Sequence, residues 1–393
     1  MNRFLRMKRD SSNPKILVAT ILSMSLLTVM AGAAVAPALN AISAHFADAN
    51  PLLIQFVVSM PALFIILTNF CFPMLCRVIR TRTIALCGLL LYVVAGSGAF
   101  FADNIVVLLV LRALLGVSVG MIMPLSTGLL AYYFPPEEQA RLMGLAAAMN
   151  QMGGVVATFL AGMLAAVSWN YAFLVYLLGL IAVVLVMLFL PNESLMKKDP
   201  TTLNSKPSTL NLLKKFHPSV VGMFLVMILF FIYPTNFALT ASGMLSVTGI
   251  TLVMMGLDVV AFLVGLVFGA MMKRFAAQMK YAAPIGFMAG YLCLAGGSSL
   301  SLLLLGSALI GIANGIGVPY LNTIGSVKAG KEAATTVMPL LSTALYLGQF
   351  LSPLIVSPIA LAAHLSPYMV GAIIAVVYLL QAIVTRKGQM LPQ

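Results

Sequence analysis

Twelve apolar runs, each long enough to cross a bilayer, follow one another with only short polar joints between them. By residue number they are 16–36, 52–75, 83–101, 105–132, 142–167 and 171–190, then 220–242, 250–272, 281–295, 300–320, 333–359 and 367–384. We call them spans 1 to 12. A helix needs about 20 mostly apolar residues to cross the hydrocarbon core. The composition agrees: 62% of the 393 residues are hydrophobic and 8% charged, with a mean hydropathy of +1.08. Soluble domains carry roughly 25% charged residues. A chain this apolar could not cover a water-facing surface, so its solvent is lipid. An all-α membrane protein is predicted, because helices satisfy every backbone hydrogen bond within the segment.

The charges carry the topology. Twenty-one of the 22 Lys and Arg residues fall before span 1, after spans 2, 4, 6, 8 and 10, and after span 12. With twelve crossings all of them lie on one side. The other side carries only Asp48, Asp103, His45 and His364. Basic joints mark the cytoplasmic face, which puts both termini in the cytoplasm of a cell with an inner membrane. The net charge of +13 then reflects orientation and contact with anionic lipid rather than nucleic acid binding. The basic start, span 1 and Ala34-Val35-Ala36 have the layout of a cleavable leader. Removing span 1 would spoil the charge alternation downstream, so it is expected to stay. The longest polar stretch, 192–218, divides the spans six and six. It predicts an N-terminal bundle over 1–191, a cytoplasmic linker, and a C-terminal bundle over 219–393.

The two halves repeat one another. Span 4 reads Arg112-Ala-Leu-Leu-Gly-Val-Ser-Val-Gly-Met-Ile-Met-Pro124, and span 10 reads Ser307-Ala-Leu-Ile-Gly-Ile-Ala-Asn-Gly-Ile-Gly-Val-Pro319. An offset of 195 also pairs Met143 with Met338, Leu145 with Leu340 and Gly153 with Gly348. Spans 1 and 7 do not align in this register. Two related six-helix bundles with a site between them near the bilayer midplane are a recurrent plan of secondary transporters.

The stretch after span 2, Pro73-Met-Leu75-Cys-Arg77-Val-Ile-Arg80-Thr-Arg82, resembles the gate motif of the major facilitator superfamily, Gly-x-Leu-Ala-Asp-Arg-x-Gly-Arg-Arg, in Leu75 and Arg82. Arg77 stands where that family has its aspartate. The joint after span 8 keeps Gly269, Arg274 and Phe275, again without the acid. Arg112 and Gly116 match the span-4 motif Arg-x-x-x-Gly-x-Gly, and Gly153 and Gly162 match part of the span-5 motif of the drug/proton antiporters. The resemblance implies two pseudo-symmetric bundles, a monomer, and gating by Leu75, Arg77, Arg82, Gly269 and Arg274. It also implies that spans 1, 4, 7 and 10 line the path and that Arg112 serves proton coupling.

Two charged residues lie inside spans, Arg112 and Asp258. Each costs at least about 2.5–3.5 kcal/mol at the centre of a bilayer on insertion scales, so each needs a compensating role. Arg112 is expected to sense protonation or bind an anionic group, and Asp258 to carry a proton or cation. A buried polar anchor is the competing reading for both. Asn150, Gln151, Tyr233, Asn236, Asn314, Tyr320, Asn322, Tyr346 and Gln349 are the uncharged candidates for contact with a small-molecule substrate. Asn236 and Asn314 lead them by the family's pattern. Each could equally hold two helices together. No phosphate loop, zinc-protease motif or nucleophile elbow occurs, so neither an enzyme nor a cofactor is predicted. The four cysteines lack metal-ligand spacing. The expectation is proton-coupled export of a small organic compound. Uptake of an anionic metabolite or sugar is the alternative, and a membrane enzyme or sensor on a transporter-like scaffold a lesser one.

Overall fold

The computed structural model describes residues 14–134, 136–192, 209–275, 278–296 and 299–385. The basic N-terminal segment, residues 193–208 of the linker and the C-terminal residues 386–393 lie outside them, with the cationic charge read there. Every regular element among the described residues is helical. Among the described residues, eleven segments are long and apolar enough to cross a membrane. The remaining predicted span is the helix Met279–Ala295, of 17 residues. At 1.5 Å per residue it reaches about 26 Å, slightly short of a typical core of about 30 Å. Helix starts are marked by polar caps where the apolar runs begin. Asn104 accepts from the Val106 N–H at 2.7 Å, Ser299 from Leu302 at 3.4 Å and Ser366 from Met369 at 3.2 Å. These bonds satisfy backbone donors that have no partner within the helix.

Four departures from the linear reading matter. Span 1 is broken: helix Pro14–Ala33 is followed by a 3₁₀ turn at Ala36–Ala38 and a short helix, Leu39–His45. Pro37, which cannot donate a backbone hydrogen bond, sits in that break. Span 6 opens with a 3₁₀ helix, Trp169–Leu178, before Gly179–Phe189. Spans 10 and 11 belong to one helical run, Leu300–Ala362. The run folds back on itself, since a Cβ on Gly325 would sit 2.5 Å from the Leu341 side chain. Sixteen residues of straight helix would separate them by about 24 Å. The helix Thr209–Ala241 of span 7 begins inside the stretch read as linker.

The chain forms two compact units. One comprises Met1–Ala49 with Leu63–Lys198, and the other Asn50–Ala62 with Asp199–Gln393. Span 2 is therefore divided between them. Inside each unit the repeat is visible as packing. A Cβ on Gly153 would drive into the Leu26 carbonyl of span 1, and one on Gly348 would sit 2.5 Å from the Phe224 carbonyl of span 7. A Cβ on Gly120 would meet Thr68 of span 2 at 2.6 Å, and one on Gly315 the Ala261 carbonyl of span 8 at 2.7 Å. The glycines keep the offset of 195. Their partners in spans 1 and 7, Leu26 and Phe224, stand 198 apart. A three-residue difference in register is why spans 1 and 7 do not align from sequence.

Candidate functional site

Arg112 lies in helix Ile105–Tyr133 of span 4 and is 1% exposed. Its guanidinium donates to the Tyr176 hydroxyl at 2.7 Å and to the Ala31 carbonyl at 2.5 Å. Tyr176 in turn donates to Ala31 at 3.0 Å. The guanidinium carbon stands 5.8 Å from the centre of the Tyr176 ring. Ala31 is in the last turn of helix Pro14–Ala33, where carbonyls run out of intrahelical donors and carry the negative end of the helix dipole. A buried cation at that point is held by backbone partial charge and by hydrogen bonds. Tyr92, edge-on to Tyr176 with ring centres 5.5 Å apart, donates to the Leu27 carbonyl one turn earlier at 3.1 Å. Spans 1, 3, 4 and 6 thus meet at one buried polar centre in the first unit.

The second unit has its own. Tyr233 of span 7 is 1% exposed and shares a hydrogen bond of 2.8 Å with Ser307 of span 10. Its ring stacks on Phe237 at 4.5 Å. The half-buried Asp258 of span 8 lies within electrostatic reach of this phenol. Nearby in sequence, Asn236 is buried and engaged on both sides of its amide. It donates to the Ile232 carbonyl and the Thr235 hydroxyl and accepts from the Gln55 amide at 3.0 Å. Gln55 also accepts from Ser357 at 2.6 Å.

The remaining candidates scatter. Asn150 accepts from Thr28 at 2.9 Å, tying span 5 to span 1. Gln151, Asn322 and Tyr346 are half-buried, whereas Tyr320 and Gln349 are buried. The buried carbonyl oxygen of Asn314 has no hydrogen-bond partner among the described residues. Among the gate residues, Arg82 donates to the Met187 carbonyl of span 6. Leu75 is half-buried. Gly269 is exposed, with open space for 4 Å around the position a Cβ would take, and Arg274 lies over the Phe275 ring. The Arg77 side chain lies outside the described residues.

Sequence reasoning missed Gln55, Tyr92, Tyr176 and Ser307. Gln55 is the only amide in a largely apolar first half of span 2, a signal that could have been read. The two tyrosines are lost among many aromatic residues in apolar runs.

A family model described as Major Facilitator Superfamily matches residues 21–353. The chain belongs to this superfamily. Solved structures agree on the fold. A D-xylose–proton symporter superposes with a TM-score of 0.81 at 14% identity, covering 97% of this chain and 100% of that one. The nucleoside transporter NupG gives 0.73 at 10%, covering 94% and 98%. A bacterial homolog of the human lysosomal transporter Spinster, inward-facing and unoccupied, gives 0.74 at 15%, covering 98% and 100%. A search of curated protein sequences finds no match. As a member of this superfamily, the chain is a multi-pass membrane protein with the transporter fold that its solved neighbours share.

Proposed function

We propose that this transporter exports a small organic compound in exchange for protons, by alternating access between bundles 1–191 and 219–393 joined by a cytoplasmic linker at 192–218. It works as a monomer in the inner membrane with both termini in the cytoplasm. The observation that carries the reading is Arg112, a cation buried in span 4 and hydrogen-bonded to the broken end of span 1. Protonation of a neighbouring group changes the electrostatic cost of that fixed charge, which couples proton occupancy to the conformation of span 1. Asp258 is the second coupling group. Tyr233, Asn236 and Asn314 supply polar contacts to the substrate, with Asn150, Gln151, Tyr320, Asn322, Tyr346 and Gln349 around them. Leu75, Arg77, Arg82, Gly269 and Arg274 form the cytoplasmic gate.

Inverted vesicles acidified inside, loaded with a pH-sensitive dye and offered a panel of cationic dyes, sugars and organic acids, test this. Addition of a substrate should release protons, and Arg112→Ala and Asp258→Asn should abolish the release. Full coupled transport in both variants would overturn the coupling assignment. Uptake is the second reading. It is favoured by the amide and hydroxyl cluster of Gln55, Asn236 and Ser357, groups suited to a polyhydroxylated solute. Substrate-dependent alkalinisation outside intact cells would support it over export.

A further inference from the structure

We propose that Tyr176 is the positioning residue for Arg112, and that residue 96 is glycine to admit the Tyr176 ring. Three hydrogen bonds close a triangle: Arg112 to Tyr176 at 2.7 Å, Tyr176 to Ala31 at 3.0 Å and Arg112 to Ala31 at 2.5 Å. A guanidinium has five N–H donors and no acceptor, so in a water-poor interior its orientation follows the acceptors offered to it. The Tyr176 hydroxyl is one such acceptor. By giving its own proton to Ala31, it is held with a lone pair facing the guanidinium. Its ring occupies the space beside Gly96, where a Cβ would lie 2.5 Å from the ring.

The second unit shows which part of this triangle is separable. At the offset of 195, Gly96 corresponds to Tyr291, Tyr176 to Gly371, and Arg112 to Ser307. Tyr291 donates to the Leu229 carbonyl, and Leu229 corresponds to Ala31 at the span-1 offset of 198. A Cβ on Gly371 would stand 3.0 Å from the Tyr291 ring. Both units therefore bring a tyrosine hydroxyl to the same carbonyl of their first helix and place a glycine beside its ring. The tyrosine and the glycine have changed places between span 3 and span 6 of the repeat. Bracing the first helix needs only the hydroxyl, and either helix can supply it. The unit that contains the arginine supplies it from span 6, against the guanidinium.

This role rests on Arg112 as the proposed coupling group only for its consequence in transport, and its test needs no substrate. The full chain, labelled with 15N-arginine in nanodiscs, should show a slowly exchanging guanidinium resonance that disappears in Arg112→Met. Tyr176→Phe should shift that resonance and speed its solvent exchange by about tenfold or more. Tyr171→Phe, which removes a hydroxyl from the same 3₁₀ segment, should leave it unchanged. In the second arm, Gly96→Tyr should fail to give a stable protein, because its ring collides with Tyr176. Combined with Tyr176→Gly it should recover folding and melt well above the single variant, with the Arg112 resonance still displaced. An unmoved resonance in Tyr176→Phe, or no rescue in the double variant, would overturn the assignment. Either result would leave the vesicle experiment to decide proton coupling by itself.

Discussion

Position 112 in the first half is a buried arginine, and its repeat partner 307 in the second half is a buried serine. Around these two positions the packing is closely parallel. Gly153 and Gly348 press against the first helix of their own unit, Gly120 and Gly315 against the second, and a tyrosine hydroxyl braces a carbonyl of the first helix in each. The scaffold does not need the charge, because the second unit builds the same junction with Tyr233 and Ser307. The difference separates what holds a bundle together from what a transporter would use for coupling. Close backbone approach through glycine serves both halves, since lipid provides no hydrophobic drive between helices and packing must be tight. A desolvated cation serves one half alone.

The comparison can be broken at its strongest point first. Gly153→Ala should be the most destabilising change, about 3 kcal/mol or more, because the methyl meets a backbone carbonyl that cannot rotate away. Gly348→Ala should cost less, about 1–3 kcal/mol, with the carbonyl at 2.5 Å. Reversible unfolding in mixed micelles would rank the two, and equal costs would show that the halves tolerate the shared contact alike. Next, Arg112→Met should lose about 2–3 kcal/mol, since the Ala31 carbonyl and the Tyr176 hydroxyl each lose a charged donor. Ser307→Ala should lose only about 1 kcal/mol, the usual worth of a neutral hydrogen bond between membrane helices. If the serine proved as costly as the arginine, the contrast between the two centres would be electrostatic in name only. The smallest effect is expected at Gly269→Ala. Nothing lies within 4 Å of the new methyl. Thermal melting should show no loss, and up to about 1 kcal/mol of gain from helix propensity.

Much of the fold could be read directly. Apolar run length, the one-sided placement of basic joints and the fixed register of Gly116, Gly120 and Gly153 with Gly311, Gly315 and Gly348 are linear properties of the chain. The site was less legible. Arg112 stood out because a lone charge in an apolar run is costly wherever the helix packs. Asn236 stood out for a similar reason, yet its partner Gln55 comes from a helix 181 residues away.

The amino-acid sequence by itself determined the solvent, the number of predicted crossings, the two-half repeat and the presence of an unusual buried cation. These follow from composition and period, which need no knowledge of neighbours. Tertiary structure alone decided that span 1 breaks, that spans 10 and 11 form one folded-back helical run, and that the Tyr–Gly pair is exchanged between the halves. Each of these depends on which atoms of distant segments share a few ångströms of space. A one-dimensional pattern of apolar residues is nearly uniform in that respect, because in lipid the inward and outward faces of a helix are both hydrophobic.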